Sequence, residues 1–436
     1  MTTYYLESLG CAKNLVDSEI CAAILERAGL SAADQPEGAD LVLVNTCSFL
    51  EDSLLELDMV LCGLAALKRE GAFARLWVTG CVMNRGLGEF RELFPEVDAW
   101  IGLKDFAALE SRLGLEPSEN CSRTPIQSGF HRYLRISDGC SNNCSYCAIP
   151  SIRGAMRSLP IDDLVREAEA LANDGQDVFQ ELVVIAQDTA NYGMDLYGRK
   201  ALPELLERLA NLPHYRWIRV MYLHPDHFEA SWLELWKKHP KLLPYFEIPV
   251  QHSEDRILKA MNRKKGRAEL EELFATILRE LPHAVLRTTV MSGFPGETRA
   301  EALALKDFVA RIPFLHLGVF RYSRETGTPA FDLPEQVPAR TAARRRDALL
   351  TLQNRRREWM LEAGVGTSVE AIVEGLEDED DENSWIGRAW FQAPEVDGVL
   401  FFEDSGLQPG EIVRAKLLNV VDADLFATAT DEENEQ

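Results

Sequence analysis

The sequence predicts a mixed α/β protein with several domains. Apolar runs of strand length alternate with segments of helical spacing over residues 1–112 and again over residues 130–325, a pattern typical of parallel sheets. The last third differs, with an arginine-rich helix predicted over residues 338–362 and short β-prone runs between Gly, Pro and Asp over residues 366–430. We therefore expect an N-terminal open parallel α/β domain, a partial (β/α)6 barrel, a linking helix and a small five-stranded all-β barrel, with residues 431–436 as a disordered acidic tail.

In the first domain, three β-prone runs each end within two residues of a cysteine. The runs are Tyr4–Leu9, Leu41–Val44 and Leu76–Thr79, and the cysteines that follow them are Cys11, Cys47 and Cys81. Helical spacing between the runs makes the strands parallel, so their carboxyl ends should share one edge of the sheet. Three converging thiols favour an iron–sulfur cluster with one iron left without a protein ligand. The alternative is three small buried residues at βα turns.

The central region repeats the same alternation six times. Pro160 precedes a predicted helix over Ile161–Asn173, and Gly175 follows it. In a parallel barrel, the chemistry lies at the carboxyl ends of the strands. Polar or glycine-rich segments follow the candidate strands. These strands are Arg132–Ser137, Glu181–Ala186, Trp217–Tyr222, Phe246–Val250, Val285–Met291 and His316–Tyr322.

A short cysteine-rich loop follows the first of these strands. It reads Gly-Cys-Ser-Asn-Asn-Cys-Ser-Tyr-Cys, with Cys140, Cys144 and Cys147 as its thiols and Tyr146 just before the last. Three thiolates without a fourth nearby would hold three corners of a 4Fe-4S cluster and leave one iron open, as in catalytic metal sites. On spacing alone, a zinc site with His131 as the fourth ligand stays open.

Composition and charge exclude some classes of function and partner. The chain has 436 residues, 70 acidic and 46 basic, with a formal net charge of −24, which argues against general affinity for nucleic acid. No apolar run approaches the ~18 residues of a membrane helix, and no signal peptide is recognisable, so we expect a cytoplasmic protein without a membrane partner. The negative charge is concentrated at the end: residues 366–436 contain 19 acidic and 3 basic side chains. A basic protein is therefore the expected partner of the terminal barrel.

Six segments together resemble one family, the radical S-adenosylmethionine (SAM) methylthiotransferases, and within it the enzymes that modify small-subunit ribosomal protein twelve. These segments span nearly the whole chain, in the family's order: residues 8–19, the cysteine loop, residues 186–189, 220–225, 293–297 and 393–398. The resemblance implies an N-terminal methylthiotransferase domain, a radical SAM domain and a C-terminal barrel of the TRAM type. Two positions depart from the family pattern, Ala12 where proline is usual and the stretch Ser253-Glu254-Asp255.

The resemblance also implies cofactors, sites and a reaction. It assigns Cys140, Cys144 and Cys147 to a radical cluster that chelates SAM, and Cys11, Cys47 and Cys81 to an auxiliary cluster, two 4Fe-4S clusters in all. The reduced radical cluster would cleave SAM to a 5′-deoxyadenosyl radical, which abstracts hydrogen from the β-carbon of an aspartate in ribosomal protein twelve. A second SAM would methylate sulfur at the auxiliary cluster. We expect contacts to SAM from Tyr146, Arg157, Gln187, Gln251, Gly293 and Glu297.

An electron donor such as flavodoxin or ferredoxin and a sulfur donor are further implied partners. Two other functions remain as alternatives. One is methylthiolation of an adenosine in transfer RNA, which shares the chemistry and architecture. The other is a non-catalytic iron–sulfur or zinc scaffold.

Overall fold

The N-terminal sheet consists of five parallel strands. Their order across the sheet is Ser31–Ala32, Thr3–Ser8, Leu41–Thr46, Leu76–Gly80 and Ala99–Trp100. The third and fourth strands are buried at every position, and for that reason their sequences are continuous apolar runs without alternation. Helices Ala12–Arg27, Glu51–Arg69, Leu87–Leu93 and Phe106–Arg112 connect them, with a 3-10 turn at Cys81–Asn84.

This computed structural model describes residues 2–48, 51–85, 87–118, 122–126, 129–172, 180–377, 385–404 and 406–430, so the predicted tail lies outside the described residues. The chain divides into two compact units. The first comprises residues 1–128, 138–157 and 323–331, and the second comprises residues 129–137, 158–322 and 332–436. The cysteine loop therefore belongs to the same compact unit as the N-terminal sheet. From its position in the sequence, the cysteine loop was predicted to belong to the central region.

The second unit contains the six parallel strands that the sequence predicts for a partial barrel. Trp217–Val220, Glu181–Ile185 and His131–Arg135 form one three-stranded sheet, and Tyr245–Glu247, Val285–Ser292 and Phe314–Arg321 form the other. A parallel bridge between Ile218 and Leu242 continues the pairing from one sheet towards the other. Large apolar side chains such as Phe246, Phe274 and Phe314 fill the core beneath the strands.

Helices surround these strands. They are Ile161–Ala172, Met194–Tyr197, Leu202–Ala210, Leu233–Lys238, Asp255–Ala260, Arg267–Glu280, Arg299–Arg311 and Ala339–Glu362, with 3-10 turns at Thr189–Asn191 and Ala230–Trp232. In the first unit, helix Ile149–Arg153 follows the cysteine loop. The division between the units falls within two short strands, Ser137–Asp138 and Arg157–Ser158, and within the 3-10 turn Pro329–Asp332. The predicted linking helix packs on the barrel: the buried Gln353 donates from Nε2 to the carbonyls of Phe314 and Leu315 at 2.8 and 3.0 Å.

The C-terminal region is a closed five-stranded barrel, as the sequence predicts. Its strands follow the order Ser368–Leu376, Trp385–Ala389, Leu400–Phe402, Asp424–Thr430 and Ile412–Val421. A buried carboxylate, Asp397, connects this barrel to the parallel strands of the same unit. It accepts hydrogen bonds from Tyr245 Oη and the backbone N–H of Ala393 (2.5 and 2.9 Å) and pairs with Arg287. In the part of the chain described above, no helix is both long and apolar enough to cross a membrane.

Candidate metal and cofactor site

The three strand-end cysteines lie at one edge of the N-terminal sheet. Parallel register places Ser8 beside Asn45, and Thr46 beside Gly80, so the strands before Cys11, Cys47 and Cys81 end level with one another. Cys47 and Cys81 are buried and Cys11 is exposed. All eight cysteines in the described residues are free thiols. The predicted convergence of these three positions is therefore present in the fold.

Two glycines make this edge of the sheet narrow enough for the cysteines. Gly10 and Gly80 both have φ near +100° and directly precede Cys11 and Cys81. A Cβ on Gly10 would lie 2.6 Å from Cys47 Cβ and 3.0 Å from its sulfur. A Cβ on Gly80 would lie 2.4 Å from the backbone nitrogen of Thr46. Only glycine allows both the conformation and the close approach.

Buried polar side chains hold the strand ends together. Asn45 donates from Nδ2 to the carbonyl of Asn14 at 2.9 Å and to Ser18 Oγ at 2.8 Å, and Asn14 donates to the carbonyl of Leu9 at 2.6 Å. Thr46 Oγ1 donates to the carbonyl of Thr79 at 2.7 Å and accepts from the N–H of Val82 at 3.2 Å. Sequence reasoning missed these positioning residues, although asparagine and threonine inside an otherwise apolar strand are a usable signal.

The thiols of this set differ in acidity. Burial raises the pKa of Cys81 to about 11, against the opposing effect of the Arg153 charge. Cys11 is exposed when the whole residue is considered, but neighbouring groups surround the sulfur atom. This desolvation of the sulfur acts to raise the pKa of Cys11. The charge of Lys13, the backbone N–H of Asn14 and the charge of Arg153 outweigh that effect, so the pKa of Cys11 is lowered. A cationic environment of this kind favours thiolate ligands.

The cysteine loop in the same unit is irregular and tightly turned. The N–H of Cys140 donates to the carbonyl of Gly154 at 3.1 Å, and the N–H of Cys147 donates to the carbonyl of Cys144 at 3.0 Å. Gly139 has φ +71°, and a Cβ there would lie 2.4 Å from the carbonyl oxygen of Ala155. Tyr146 and Cys147 are half-buried.

The spacing of the sulfurs argues for clusters over single ions. Among the described residues, neither three-cysteine set has all its sulfurs within 4.8 Å of one another. A single zinc ion with Zn–S bonds of about 2.3 Å would hold them about 3.8 Å apart. His131, the residue considered as a fourth zinc ligand, is buried beside Tyr133 with ring centroids 5.1 Å apart. The donor sets fit iron–sulfur clusters with one open iron each better than they fit zinc.

Comparison with known proteins matches three successive stretches of the chain to family models. Three family models match: "Uncharacterized protein family UPF0004" over residues 3–102, the radical SAM superfamily over 134–309 and the TRAM domain over 365–430. Ribosomal protein uS12 methylthiotransferase RimO of Clostridioides difficile is 38% identical over 97% of both chains. The RimO of Thermotoga maritima is 40% identical over 92% of this chain and 94% of its own, and that of Aquifex aeolicus is 39% identical over 97% and 96%.

The chain belongs to the RimO family of radical SAM methylthiotransferases. It is therefore a transferase, and the radical SAM family implies SAM and a 4Fe-4S cluster as cofactors. Among solved structures, the radical SAM methyltransferase TsrM of Kitasatospora setae superposes with a TM-score of 0.54 at 14% identity, covering 76% of this chain and 77% of its own. At that identity, the similarity concerns the fold alone.

The second compact unit contains four of the six residues predicted to contact SAM. Gln187 follows strand Glu181–Ile185, and Gln251 follows Tyr245–Glu247 with a positive φ of +70° that is rare outside glycine. Gln251 also pairs through its backbone with Thr289 and Met291 at 2.8 and 2.7 Å. Such strained positions at strand ends are common in active sites. Both glutamines therefore remain predicted cofactor contacts.

Gly293 and Glu297 have visible packing roles. A Cβ on Gly293 would lie 2.4 Å from the Cβ of Ala342 on helix Ala339–Glu362. Glu297 is buried, accepts from the N–H of Gly293 at 2.5 Å and pairs with Arg345 at 2.7 Å. These contacts account for both residue types without a ligand. Of the remaining two predicted contacts, in the other unit, Arg157 is exposed and Tyr146 is half-buried.

One polar cluster at the strand ends was missed by the sequence reasoning. Asp188 and His227 lie 2.6 Å apart, from Oδ2 to Nδ1, and the rings of His224 and His227 stack at 5.0 Å. Burial, then the charge of Arg263, depresses the pKa of His224 well below its ordinary value, so the ring is neutral at pH 7. The signal was the paired histidines of the segment His-Pro-Asp-His, which follows the strand Trp217–Val220.

Proposed function

We propose that this protein inserts a methylthio group at the β-carbon of an aspartate in ribosomal protein uS12. The main support for this proposal is the similarity of the protein to uS12 methylthiotransferases. Each relative described above matches at least 92% of this chain. The relatives' names state the substrate of those proteins, and shared architecture extends it to this one. The carbon position remains part of the proposal.

The charge of the terminal barrel supports a basic protein substrate. Residues 366–436 contain 19 acidic and 3 basic side chains. Some basic side chains are already neutralised internally, since Arg388 is buried and pairs with Glu181 and Glu374 at 2.8 and 2.7 Å. A surface of this composition attracts a basic ribosomal protein and repels the phosphates of transfer RNA.

The two cysteine sets support a two-cluster enzyme. Cys140, Cys144 and Cys147 would hold the radical cluster, and Cys11, Cys47 and Cys81 would hold the auxiliary cluster. When bound, the first cluster with SAM would supply hydrogen abstraction, and the second would hold the donated sulfur that a second SAM methylates. The chain's own part is to hold three thiolates at each site and to leave one metal position open. A flavodoxin or ferredoxin as electron donor and a separate sulfur donor complete the proposal.

Iron and sulfide analysis of anaerobically reconstituted protein tests the cluster count. We expect about eight irons per chain in the wild type and about four in the variant with Cys140, Cys144 and Cys147 all changed to alanine. Cys62→Ala is the matched control, because Cys62 is exposed on helix Glu51–Arg69 and should leave the iron content unchanged. About four irons falling to none would leave a single-cluster enzyme and refute the auxiliary site.

Product analysis tests the division of labour and the substrate. With a uS12 peptide, Cys144→Ala should abolish SAM cleavage. Cys47→Ala should retain cleavage and give no methylthiolated peptide in mass spectrometry. Methylthiolated peptide from Cys47→Ala would contradict the assignment of the auxiliary cluster. Modified transfer RNA in place of modified peptide would refute the proposed substrate in favour of the adenosine enzyme.

A further inference from the structure

The guanidinium of Arg153 contacts a sulfur of the proposed auxiliary cluster. Its Nη2 lies 3.7 Å from Cys81 Sγ and 2.9 Å from Asp17 Oδ2, and its Nη1 lies 3.1 Å from Asp138 Oδ1. Nη2 is also 3.2 Å from Asn14 Oδ1. The side chain is 2% exposed. A fixed and almost completely desolvated positive charge therefore lies directly beside a predicted cluster ligand.

Packing of the surrounding backbone determines where this charge lies. Arg153 is the last residue of helix Ile149–Arg153, which follows the cysteine loop. Ala148 and Ile152 pack against Cys81 in one small apolar cluster. Asn84, in the 3-10 turn that begins at Cys81, donates from Nδ2 to the carbonyl of Ile152 at 2.7 Å. The position of Arg153 is thus part of how the two segments fit together.

The charges around Arg153 make its contribution large. A guanidinium is cationic in any protein at neutral pH, and Nη2 and Nη1 of Arg153 lie 2.9 and 3.1 Å from the carboxylates of Asp17 and Asp138. Without Arg153, two carboxylates and the cluster thiolates would share the site with one other cationic side chain, Lys13, whose charge acts on Cys11. In a buried environment, such charges interact more strongly than in water because solvent screens them less.

We infer that Arg153 is a positioning residue for the auxiliary cluster and raises its reduction potential. Reduction adds an electron to an already anionic cluster, and an adjacent guanidinium stabilises that added charge. The inference rests on the proposed function, because it requires the second cluster. It also gives the segment after the radical cysteines a role at the other cluster. Asp138, two residues before Cys140, and Asp17, on the helix after Cys11, hold the same guanidinium.

The test measures the auxiliary cluster alone. In the background with Cys140, Cys144 and Cys147 changed to alanine, any remaining iron reports on the other site. Arg153→Met, Arg153→Lys and Asp17→Asn are introduced separately. Arg123→Met is the control, since Arg123 is a buried arginine of the same unit that pairs with Glu19. Iron content is measured first, and the midpoint potential then follows from an anaerobic redox titration read by visible absorption and electron paramagnetic resonance.

We expect the midpoint potential to shift in opposite directions in the Arg153→Met and Asp17→Asn variants. Arg153→Met should lower the potential so that the ratio of reduced to oxidised cluster at a fixed poise falls at least tenfold, which is 59 mV for one electron. The midpoint potential of the Arg153→Lys variant should lie between those of the Arg153→Met variant and the parent. Asp17→Asn should raise the potential, because it removes a negative charge next to the retained guanidinium. A general folding defect would not produce opposite shifts.

Each other outcome has a definite meaning. A fully loaded Arg153→Met variant with the parent's potential overturns the role of Arg153 and leaves the proposed function intact. A triple-cysteine background without iron refutes the auxiliary cluster, and the inference with it. If Arg153→Met does not load while the control does, Asp17→Asn decides: a raised potential supports the inference and an unchanged potential overturns it.

Discussion

Alanine at Gly10 should empty the auxiliary site while leaving the radical site intact. The new Cβ would lie 2.6 Å from Cys47 Cβ and 3.0 Å from its sulfur. Carbon atoms pack at about 3.5–4.0 Å, so Cys47 must move by about 1 Å. Metal–ligand distances tolerate only about 0.2 Å, and a shift of this size removes the thiolate from bonding range.

The energetic cost of Gly10→Ala has a conformational part and a steric part, and a matched variant at another glycine separates the two. A non-glycine residue with positive φ costs about 1–2 kcal/mol, and the steric overlap adds about 1–3 kcal/mol. Gly29 has φ +83°, belongs to the same unit and has no heavy atom within 4 Å of a built Cβ. Gly29→Ala therefore carries the conformational cost without the overlap.

Iron analysis and urea unfolding of the two variants provide the comparison. Gly10→Ala should hold about four irons and Gly29→Ala about eight. The free energy of unfolding of the apo-proteins should be lower for Gly10→Ala by about 1–3 kcal/mol. Equal iron content in the two variants would refute the reasoning, because Cys47 would then tolerate displacement or would not be a ligand.

Three further predictions concern the second unit. Asp397→Ala removes the carboxylate that the buried Tyr245 and the half-buried Arg287 share and should lower the free energy of unfolding by about 3–5 kcal/mol in urea; the exposed Glu362→Ala should change it by less than about 0.5 kcal/mol. Burial, then the charge of a neighbouring arginine, lowers the folded pKa of His131 to about 3, below an unfolded value of about 6.5. The unfolded state thus binds more protons, so stability falls by about 1.4 kcal/mol per pH unit as the pH drops below 6.5, and His131→Asn should remove that part of the slope in unfolding curves measured from pH 7 to pH 4. Gly293→Ala should lower the melting temperature through its 2.4 Å contact with the Cβ of Ala342, and adding Ala342→Gly should restore part of the loss; no restoration would show that packing does not explain the glycine.

The sequence was most informative where one stretch of chain contains the whole signal. Cys140, Cys144 and Cys147 lie within eight residues, so three neighbouring thiol ligands were recognisable without any knowledge of the fold, and the family resemblance implied that they hold the radical cluster. Helix Ile161–Ala172 begins at the predicted residue because its apolar period and preceding proline are local, while the predicted end at Asn173 and Gly175 lies outside the described residues. The parallel strands before Cys11, Cys47 and Cys81 followed from composition, and their shared edge followed from the geometry of parallel sheets.

Contacts between residues distant in sequence needed the structure. Gly293 and Glu297 stay predicted cofactor contacts, and the fold adds what the sequence did not show, their contacts with Ala342 and Arg345, about 50 residues later in the chain. The linking helix was predicted from its composition, but its packing on the barrel through Gln353 was not.

The sequence by itself determined the fold class and the order of the domains, because periodicity is a property of neighbouring residues. It also predicted the six cluster cysteines, with the help of the family resemblance. Only the tertiary structure decided that Arg153 meets Cys81 and Asp17, that Gly10 faces Cys47, and that the cysteine loop joins the N-terminal unit. The physical reason is that chain connectivity constrains a residue's neighbours over only a few positions. Which distant side chains meet depends on how strands, helices and loops pack together, and on burial that leaves polar groups to find partners within the protein.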